Sequence, residues 1–317
     1  MPEQDDKNPF EGRTFLLIRD HAQDDGTEPL PSALPAWLSP DIVVIKPDGT
    51  RGGEAQIGVV NQVELTVHNR GGIIAVGTWV DAYFSSSATG FTPATAALIG
   101  GAYVDVPAYG MATVSMPWNP PAAYAGHGCI LARASLIVPP DSYADPNSFD
   151  VRGDRHIGQR NIEVIQLLTL GESAAFTFNL VNTLAGQTRI RAEVREVRDA
   201  AGQQAIRTAL GCNMFSFADR PLERFGLRRG DRRFVPGRPE RAIADVIPAE
   251  IPVARLVRLA DMATEMVCEL DGGEVCEAVL HVVGNHDARP GDIHALEIRQ
   301  FDDRDRIMGG LTVLVRH

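Results

Sequence analysis

Apolar and polar residues alternate along most of the chain, which is the pattern of a β-strand with one buried face. The clearest case is the stretch 61–69, where every second residue is aliphatic (Val63, Leu65, Val67) and the residues between them are polar. A similar alternation recurs at 75–85. No apolar stripe with helical spacing persists between residues 40 and 170. The pattern therefore predicts short antiparallel strands joined by turns.

The predicted strands fill both halves of the chain. In the first half they cover 41–46, 61–69, 75–85, 111–118, 129–138 and 160–170. In the second half they cover 170–182, 188–197, 272–285, 293–302 and 306–317. Short strands separated by turn signals are typical of a sandwich of two sheets. We therefore predict an all-β fold made of two tandem immunoglobulin-like antiparallel β-sandwiches with an irregular N-terminal extension.

Composition places the domain boundaries. We predict an N-terminal extension and Pro-rich linker at 1–37, a first sandwich at 38–167 and a second sandwich at 168–317. Within the second sandwich, an irregular Arg-rich insertion is expected at about 205–262, with one helical turn near 258–266. The apolar run 14–18 has no hairpin partner nearby. We expect it to pair with a distant strand or with another chain, because an unpaired strand exposes its backbone hydrogen-bonding groups.

Three short stretches resemble a known family in their order and spacing. They are SPDIVVI (39–45), NQVELTVHNRGG (61–72) and DRHIGQRNIEVIQL (154–167). Together they resemble the bacterial CARDB-type domain, an immunoglobulin-like module named for its association with cell adhesion, over about residues 38–167. The stretch 155–158 departs from the Asn-Asn-x-Ala turn expected there. The resemblance implies a fold and a theme of binding or surface display, and it implies no catalytic residues.

Charge narrows the range of partners. The net charge is −11, which is the wrong sign for non-specific contact with nucleic-acid phosphates. Residues 1–28 hold eight acidic residues, whereas residues 220–241 hold eight arginines. The two segments are either solvated or attract each other, within one chain or between chains.

The chain begins with an acidic, polar stretch where a secretory signal would be basic and then apolar. We therefore expect a cytoplasmic protein, with export by a non-classical route left open. No stretch approaches the roughly 20 apolar residues needed to cross a bilayer, so no contact with a membrane is expected.

The stretch Gly284-Asn285-His286-Asp287 matches a metal-binding signature of the calcineurin-like phosphoesterases. Such an enzyme needs further upstream ligands to hold two metals. Asp20-His21 lacks the required spacer, and the residues after Gly153-Asp154 do not supply the missing ligand. We therefore interpret the stretch as a turn between two strands and predict a non-enzyme, with a metal-dependent phosphoesterase as the alternative.

Two other groups of residues are candidates for chemistry. Asp141, Asp145 and Asp150 provide hard oxygen ligands in one loop, although their spacing lacks the regularity of an EF-hand. Cys268 and Cys276 flank a turn-forming stretch and would face each other across a hairpin centred on Gly272. Either a disulfide or two buried thiols fits that arrangement. No cofactor is predicted.

The favoured function is a non-catalytic binding or scaffold protein that acts through sandwich loops and edge strands. The predicted partner-binding residues are Arg228, Arg229, Arg232, Arg233, Phe15 and Leu17. We expect a protein partner or self-association. Trp79 falls opposite Val76 and Val80, so core packing is the preferred interpretation, whereas exposure on an outer face would suit contact with carbohydrate or protein. A structural subunit of a phage-like or secretion assembly is a further alternative.

Overall fold

The computed structural model describes residues 9–31, 34–53, 55–85, 92–121, 128–166, 173–210, 216–222, 224–234, 263–285 and 288–317. Within these residues the chain is almost entirely β-strand with one short helix, so the predicted all-β fold is confirmed. The chain forms two compact units. The described residues of unit 1 lie before Ser86, within Thr92–Glu163 and within Asp199–Met214. The described residues of unit 2 lie within Val164–Arg198 and Phe215–His317. The predicted boundaries at residues 37 and 167 stay predictions.

Unit 1 is built from ten strands of the described chain. They are β1 (Leu16–Leu17), β2 (Ile42–Ile45), β3 (Arg51–Gly52), β4 (Asn61–Asn69), β5 (Ala75–Ser85), β6 (Ala97–Val106), β7 (Gly110–Trp118), β8 (Cys129–Leu136), β9 (Asp141–Ser142) and β10 (Ile157–Arg160). One sheet runs β1-β4-β2-β3, with β7 on the other edge of β4. The second sheet runs β10-β8-β5-β6, with β9 beside β8.

The core of unit 1 follows the alternation seen in the sequence. Val63, Leu65 and Val67 are fully buried, and the residues between them in β4 are half-buried. They pack against the inward residues of the second sheet, which include Val80, Ala82, Ala132 and Ala134. Burial of aliphatic surface between the two sheets is therefore the main stabilisation of this unit.

The apolar run near the N-terminus has its partner within unit 1. In β1, Leu16 pairs with Asn69 and Leu17 pairs with His68, antiparallel to β4. β2 pairs with an earlier part of the same edge of β4. The N-terminal strand thus continues the edge that β2 begins, and its backbone is satisfied without a second chain.

The helix α1 (Ala200–Ala209) lies in unit 1 and is absent from the sequence prediction. Asp199 caps its N-terminus, with the Asp199 side chain accepting a hydrogen bond of 2.7 Å from the backbone N–H of Gly202. At the other end, the buried guanidinium of Arg160 donates to the carbonyl of Ala209. The described residues contain no helix of the length and hydropathy that a bilayer span requires.

Unit 2 contains the remaining strands of the described chain. They are β11 (Ile162–Gln166), β12 (Ser173–Val181), β13 (Thr188–Glu196), β14 (Ser216–Phe217), β15 (Arg224–Phe234), β16 (Glu265–Leu270), β17 (Val275–Val283), β18 (Asp292–Phe301) and β19 (Ile307–Arg316). One sheet runs β11-β19-β18-β13-β16, with β14 beside β18, and the other runs β12-β17-β15. A buried cluster of aliphatic residues from both sheets forms the core.

Three elements of regular structure overlap the predicted Arg-rich insertion: the end of α1, β14 and β15. β15 lies within it, as the edge strand of the three-stranded sheet. The helical turn expected near 258–266 does not extend into the described residues, since β16 begins at Glu265. Met266, Cys268 and Leu270 alternate as buried positions in β16, and this period of two favours a strand over a helix.

Candidate binding surface

An exposed aromatic pair lies on the outer face of the β5–β6 ladder in unit 1. Trp79 and Tyr103 are register partners, and their ring centroids are 4.8 Å apart at an interplanar angle of 59°. Tyr103 is 72 % exposed, whereas Trp79 is half-buried. Gly101 makes room for the indole, because a Cβ atom at that position would lie 2.2 Å from Cζ2 of Trp79. The absence of a side chain at Gly101 therefore lets Trp79 lie against β6.

Leu98 extends this apolar face along β6. It pairs with Tyr83 across the ladder, so it points to the same side as Tyr103, and it is 63 % exposed. Asp105 is the one charged residue of β6. Its carboxylate accepts a hydrogen bond of 2.8 Å from the backbone N–H of Gly77 in the bulge of β5. The outward face of β6 thus presents apolar side chains and a carboxylate that is held by its neighbour strand.

The edge of β6 is also unpaired within the described chain. β6 ends the order of its sheet, with β5 as its partner on one side. Natural edge strands are commonly protected by lysine, proline or short length. β6 is ten residues long and contains neither lysine, arginine nor proline. On the side away from β5, β6 has no strand partner in the described chain, although β7 lies close to it.

The buried side chain of Arg133 occupies the neighbouring part of the same face. Arg133 makes a bidentate ion pair with Asp81 (3.1 and 2.9 Å) and donates to Oη of Tyr83 at 2.6 Å. Its guanidinium lies within 4.5–5.4 Å of the ring centroids of Tyr83, Tyr143 and Phe149. Burial, with the adjacent charge of Asp81, raises the pKa of Tyr83 to about 12. The chain's own arginine occupies this aromatic cage, which leaves the Trp79–Tyr103 end as the accessible part.

The three aspartates considered as candidate metal ligands have separate roles. Asp141 is buried and bonds to His156 (2.8 Å), Arg155 (2.6 Å) and the backbone N–H of Leu16 (2.8 Å). Asp145 and Asp150 each accept a backbone N–H a few residues ahead in their own turns. Among the residues that the structure describes, no three His, Cys, Asp or Glu side chains come together in a way that could hold a metal ion.

The four predicted partner-binding arginines lie on β15. Two of them contact side chains of β17, since Arg228 donates to His281 at 2.8 Å and Arg232 to Glu277 at 2.7 Å, and Arg233 forms an ion pair with Glu274 just before β17. The fourth, Arg229, lies close enough to Cys276 to favour its thiolate. These arginines are therefore engaged within unit 2, although Arg229, Arg232 and Arg233 remain exposed.

Phe15 and Leu17 are buried rather than presented to a partner. They are 7 % and 1 % exposed. The ring of Phe15 stacks on Phe10 with centroids 4.0 Å apart, and the guanidinium of Arg155 lies 4.2 Å from its centroid. Local sequence could not reveal this, because the residues that cover Phe15 include one 140 positions away.

Two carboxylates of the acidic N-terminal segment form ion pairs with arginines of unit 1. Asp25 lies 3.4 Å from Arg70, and Glu28 lies 3.9 Å from Arg155. Both pairs are at least partly exposed to solvent, so each contributes little to stability. Their geometry shows that attraction to the arginines of 220–241 is not needed to balance these two carboxylates.

The phosphoesterase-like stretch falls partly outside the described residues, which end at Asn285 and resume at Ala288. Asn285 and Ala288 line a cleft of about 240 Å³ in unit 2, together with Arg220, Arg289 and His294. Nδ1 of His294 lies 2.8 Å from Glu196, and hydrogen bonding to this imidazole helps to lower the pKa of Glu196 against the opposing effect of burial. Among the described residues, no third side chain lies beside this His–Glu pair to complete a metal site.

No protein family and no curated protein matches the sequence. Solved structures with some likeness include a CARDB domain from Pyrococcus furiosus, determined in complex with di-metal ions (16 % identity, 33 % of this chain and 72 % of that chain, TM-score 0.23). Others are the N-terminal domain of PorA (8 %, 50 % and 88 %, 0.23) and the collagen adhesin of S. aureus (9 %, 89 % and 95 %, 0.22). Values this low assign neither a family nor a ligand. A CARDB domain is among the neighbours, and membership of that family stays a prediction.

The aromatic pair could be predicted only in part from the sequence. The sequence left two positions open for Trp79, an outer face opposite Val76 and Val80 or the core, and core packing was the preferred interpretation. Tyr103 was missed, since its register opposite Trp79 depends on a bulge in β5 that has no clear sequence signal apart from Gly77, where φ is +72°. The cage around Arg133 was missed because its members are spread over residues 81 to 149.

Proposed function

We propose that the protein is a non-catalytic binding module in which unit 1 takes up an extended segment of a protein partner along β6. The observation that supports this proposal is the ten-residue edge strand β6, which has no strand partner on one side in the described chain, contains no lysine, arginine or proline, and adjoins an exposed aromatic face. An added strand would satisfy the backbone groups of β6, as in other cases of strand addition. Trp79 and Tyr103 would then supply the aromatic contacts that commonly dominate protein interfaces.

The side chains of β6 set the chemistry of the partner. The exposed groups Leu98 and Tyr103 are apolar or aromatic, and Asp105 is held by Gly77. A segment with alternating apolar residues would therefore match the face beside the edge, whereas an acidic segment would oppose the net charge of −11. A second copy of this chain is one source of such a segment, since β6 itself has that character.

The test compares the wild-type protein with a double variant, Leu98→Lys and Tyr103→Lys, which places two cations beside the edge. Ser115→Lys on β7 is the matched control, because Ser115 is an exposed strand residue of the other sheet. Sedimentation velocity over a concentration series measures self-association. Affinity capture from the native host, with each bound protein then titrated in purified form, measures a different partner.

We expect the double variant to weaken association at least tenfold while Ser115→Lys leaves it unchanged. Two results would overturn the proposal: equal affinity of the double variant and the wild type for the purified partner, or a chain that is monomeric and captures no partner at all. Metal analysis of the purified protein distinguishes the proposed binding module from the enzyme alternative. Two bound transition metals together with hydrolysis of a nitrophenyl phosphate would favour a phosphoesterase over a binding module.

A further inference from the structure

Two buried cysteines of unit 2 face each other across the space between its sheets. Cys268 lies in β16 and Cys276 in β17, and these strands belong to different sheets. Their Sγ atoms are 3.2 Å apart, and both residues are buried (2 % and 0 % exposed). The thiols are free. Since a disulfide bond measures about 2.05 Å, the sulfur atoms need to approach by only about 1 Å to become bonded.

The surroundings of the pair distinguish its two members. A hydrogen bond from Cys268 stabilises a thiolate on Cys276, and with the positive charges of Arg229 and Arg233 it lowers the pKa of Cys276 to about 7, against the effect of burial. The same hydrogen bond and burial raise the pKa of Cys268. Because the thiolate is the nucleophile in thiol chemistry, Cys276 is the attacking sulfur and Cys268 is the second thiol.

A break in the edge strand lies beside Cys276. In β15, Arg229 pairs with Ala278 and Arg233 pairs with Cys276, so three residues of β15 face the single residue Glu277. Such a bulge leaves backbone groups outside the regular ladder. Edge strands with irregular pairing open locally more readily than central strands. We expect local opening at this irregularity to expose Cys276 to a small reagent.

We propose that Cys268 and Cys276 form a redox-active dithiol that a low-molecular-weight disulfide oxidises to a covalent link between the two sheets of unit 2. The Cys276 thiolate attacks one sulfur of the reagent RS–SR, which forms a mixed disulfide and releases RS⁻. Cys268 then gives up its proton, and its sulfur attacks Sγ of Cys276, which forms the protein disulfide and releases a second RS⁻. Two protein thiols are oxidised, and one RS–SR is reduced to two RSH.

The test uses a variant of the full chain, Cys129→Ser with Cys212→Ser, which keeps only the pair among the four cysteines. It is equilibrated with oxidised glutathione at pH 8, with and without urea below the unfolding transition. We expect both remaining thiols to be lost, with an intact mass lower by two hydrogen atoms. The unfolding midpoint of the oxidised form should rise by roughly 5 °C, since the link constrains the unfolded chain.

Single variants then separate the roles of the two sulfurs. Adding Cys268→Ser should leave Cys276 able to trap glutathione as a stable mixed disulfide, whereas adding Cys276→Ser should slow adduct formation at least tenfold. Retention of both thiols in the two-cysteine variant, with and without urea, would overturn the proposal. So would a protein that carries two glutathione adducts and no internal link. Neither result bears on the proposed binding at β6, which is in unit 1.

Discussion

Nε2 of His156 lies 2.8 Å from Oδ1 of Asp141, and both side chains are buried in unit 1. The other ring nitrogen, Nδ1, lies 2.7 Å from Oδ1 of Asp154. An ionised carboxylate only accepts hydrogen bonds, so both ring nitrogens donate and the imidazole is a cation. Asp141 also accepts the backbone N–H of Leu16. The histidine therefore joins β9, β10 and β1 through two carboxylates.

Replacement of His156 by Gln should destabilise unit 1 by about 3 kcal/mol, because it removes the cation from a buried charge network. Burial opposes the charged imidazole, but the hydrogen bonds to Asp141 and Asp154 outweigh it and raise the pKa of His156. They likewise lower the pKa of both carboxyl groups despite burial. Urea unfolding of the wild type and the variant measures the difference.

The signs of these shifts set a pH window for that difference. The raised pKa of His156 gives stability that is fully present below its unfolded value of about 6.5 and is lost as pH rises through the folded value. The lowered pKa values of the aspartates give stability that is present above about 3.9 and is lost as pH falls through their folded values. We expect the largest difference between about pH 4 and 6.5; a difference that is constant from pH 4 to 9 would contradict this account.

Asp20 shows the opposite behaviour and predicts a stabilising substitution. It is buried, its Oδ1 atom has no hydrogen-bond partner among the described residues, and burial raises its pKa well above the usual value. A raised carboxyl pKa costs stability above the unfolded value of about 3.9, and the cost grows with pH up to the folded pKa. Asp20→Asn should therefore stabilise unit 1 by about 1 kcal/mol at pH 8 and by less at pH 4.5.

The exposed neighbour Asp25 provides the matched control for this prediction. Its pKa is lowered by hydrogen bonds with Thr27, so Asp25→Asn should not stabilise the protein. Chemical unfolding of both variants at pH 4.5 and 8 gives the comparison. The two substitutions could have equal effects, or the gain in stability from Asp20→Asn could fail to grow with pH. Either result would show that ionisation of Asp20 does not destabilise unit 1.

Alternation in the sequence predicted most of the long strands, because a half-buried strand requires it locally, but it did not predict β15, which lies in the stretch expected to be irregular. Val63, Leu65 and Val67 are buried as their spacing predicts. Side-chain partners were not predictable, since they depend on register between distant strands. Arg133 and Asp81 are 52 positions apart, and Arg232 and Glu277 are 45 apart. For this reason the arginines of β15 looked free in the sequence although they are paired in the structure.

The helix α1, which the sequence analysis did not predict, has a local sequence signal at its N-terminus. Asp199 precedes a run of Ala and Gln, and an aspartate before good helix-forming residues is an N-terminal signal. The feature that fixes α1 in unit 1 is not local. Arg160 lies 49 positions before Ala209, and its guanidinium donates to the carbonyl of that residue at the C-terminal end of the helix.

Replacement of Arg160 by Met should destabilise unit 1 by about 3 kcal/mol. Its guanidinium is buried and donates to the carbonyls of Ser39, Ile42 and Ala209, so the substitution leaves three acceptors without this donor. A cation at the last turn of α1 also interacts favourably with the helix dipole. Thermal unfolding with far-UV circular dichroism measures the loss. Arg51→Met, which breaks an exposed pair with Glu64, should cost below about 1 kcal/mol; similar losses in both variants would refute the assigned role of Arg160.

Gly101 connects the stability of unit 1 with the proposed binding surface. A Cβ atom there would lie 2.2 Å from Cζ2 of Trp79, so Gly101→Ala forces the indole to move away from β6. We expect a loss of about 2 kcal/mol from overpacking, a change in tryptophan fluorescence, and weaker association of the partner at β6. Gly52→Ala is the control, because nothing lies within 4 Å of a Cβ atom at that strand position, and it should change stability by no more than about 0.5 kcal/mol. If Gly101→Ala shifts the fluorescence but leaves partner affinity unchanged, the contact does not involve Trp79, and the bound segment touches β6 only through its backbone edge.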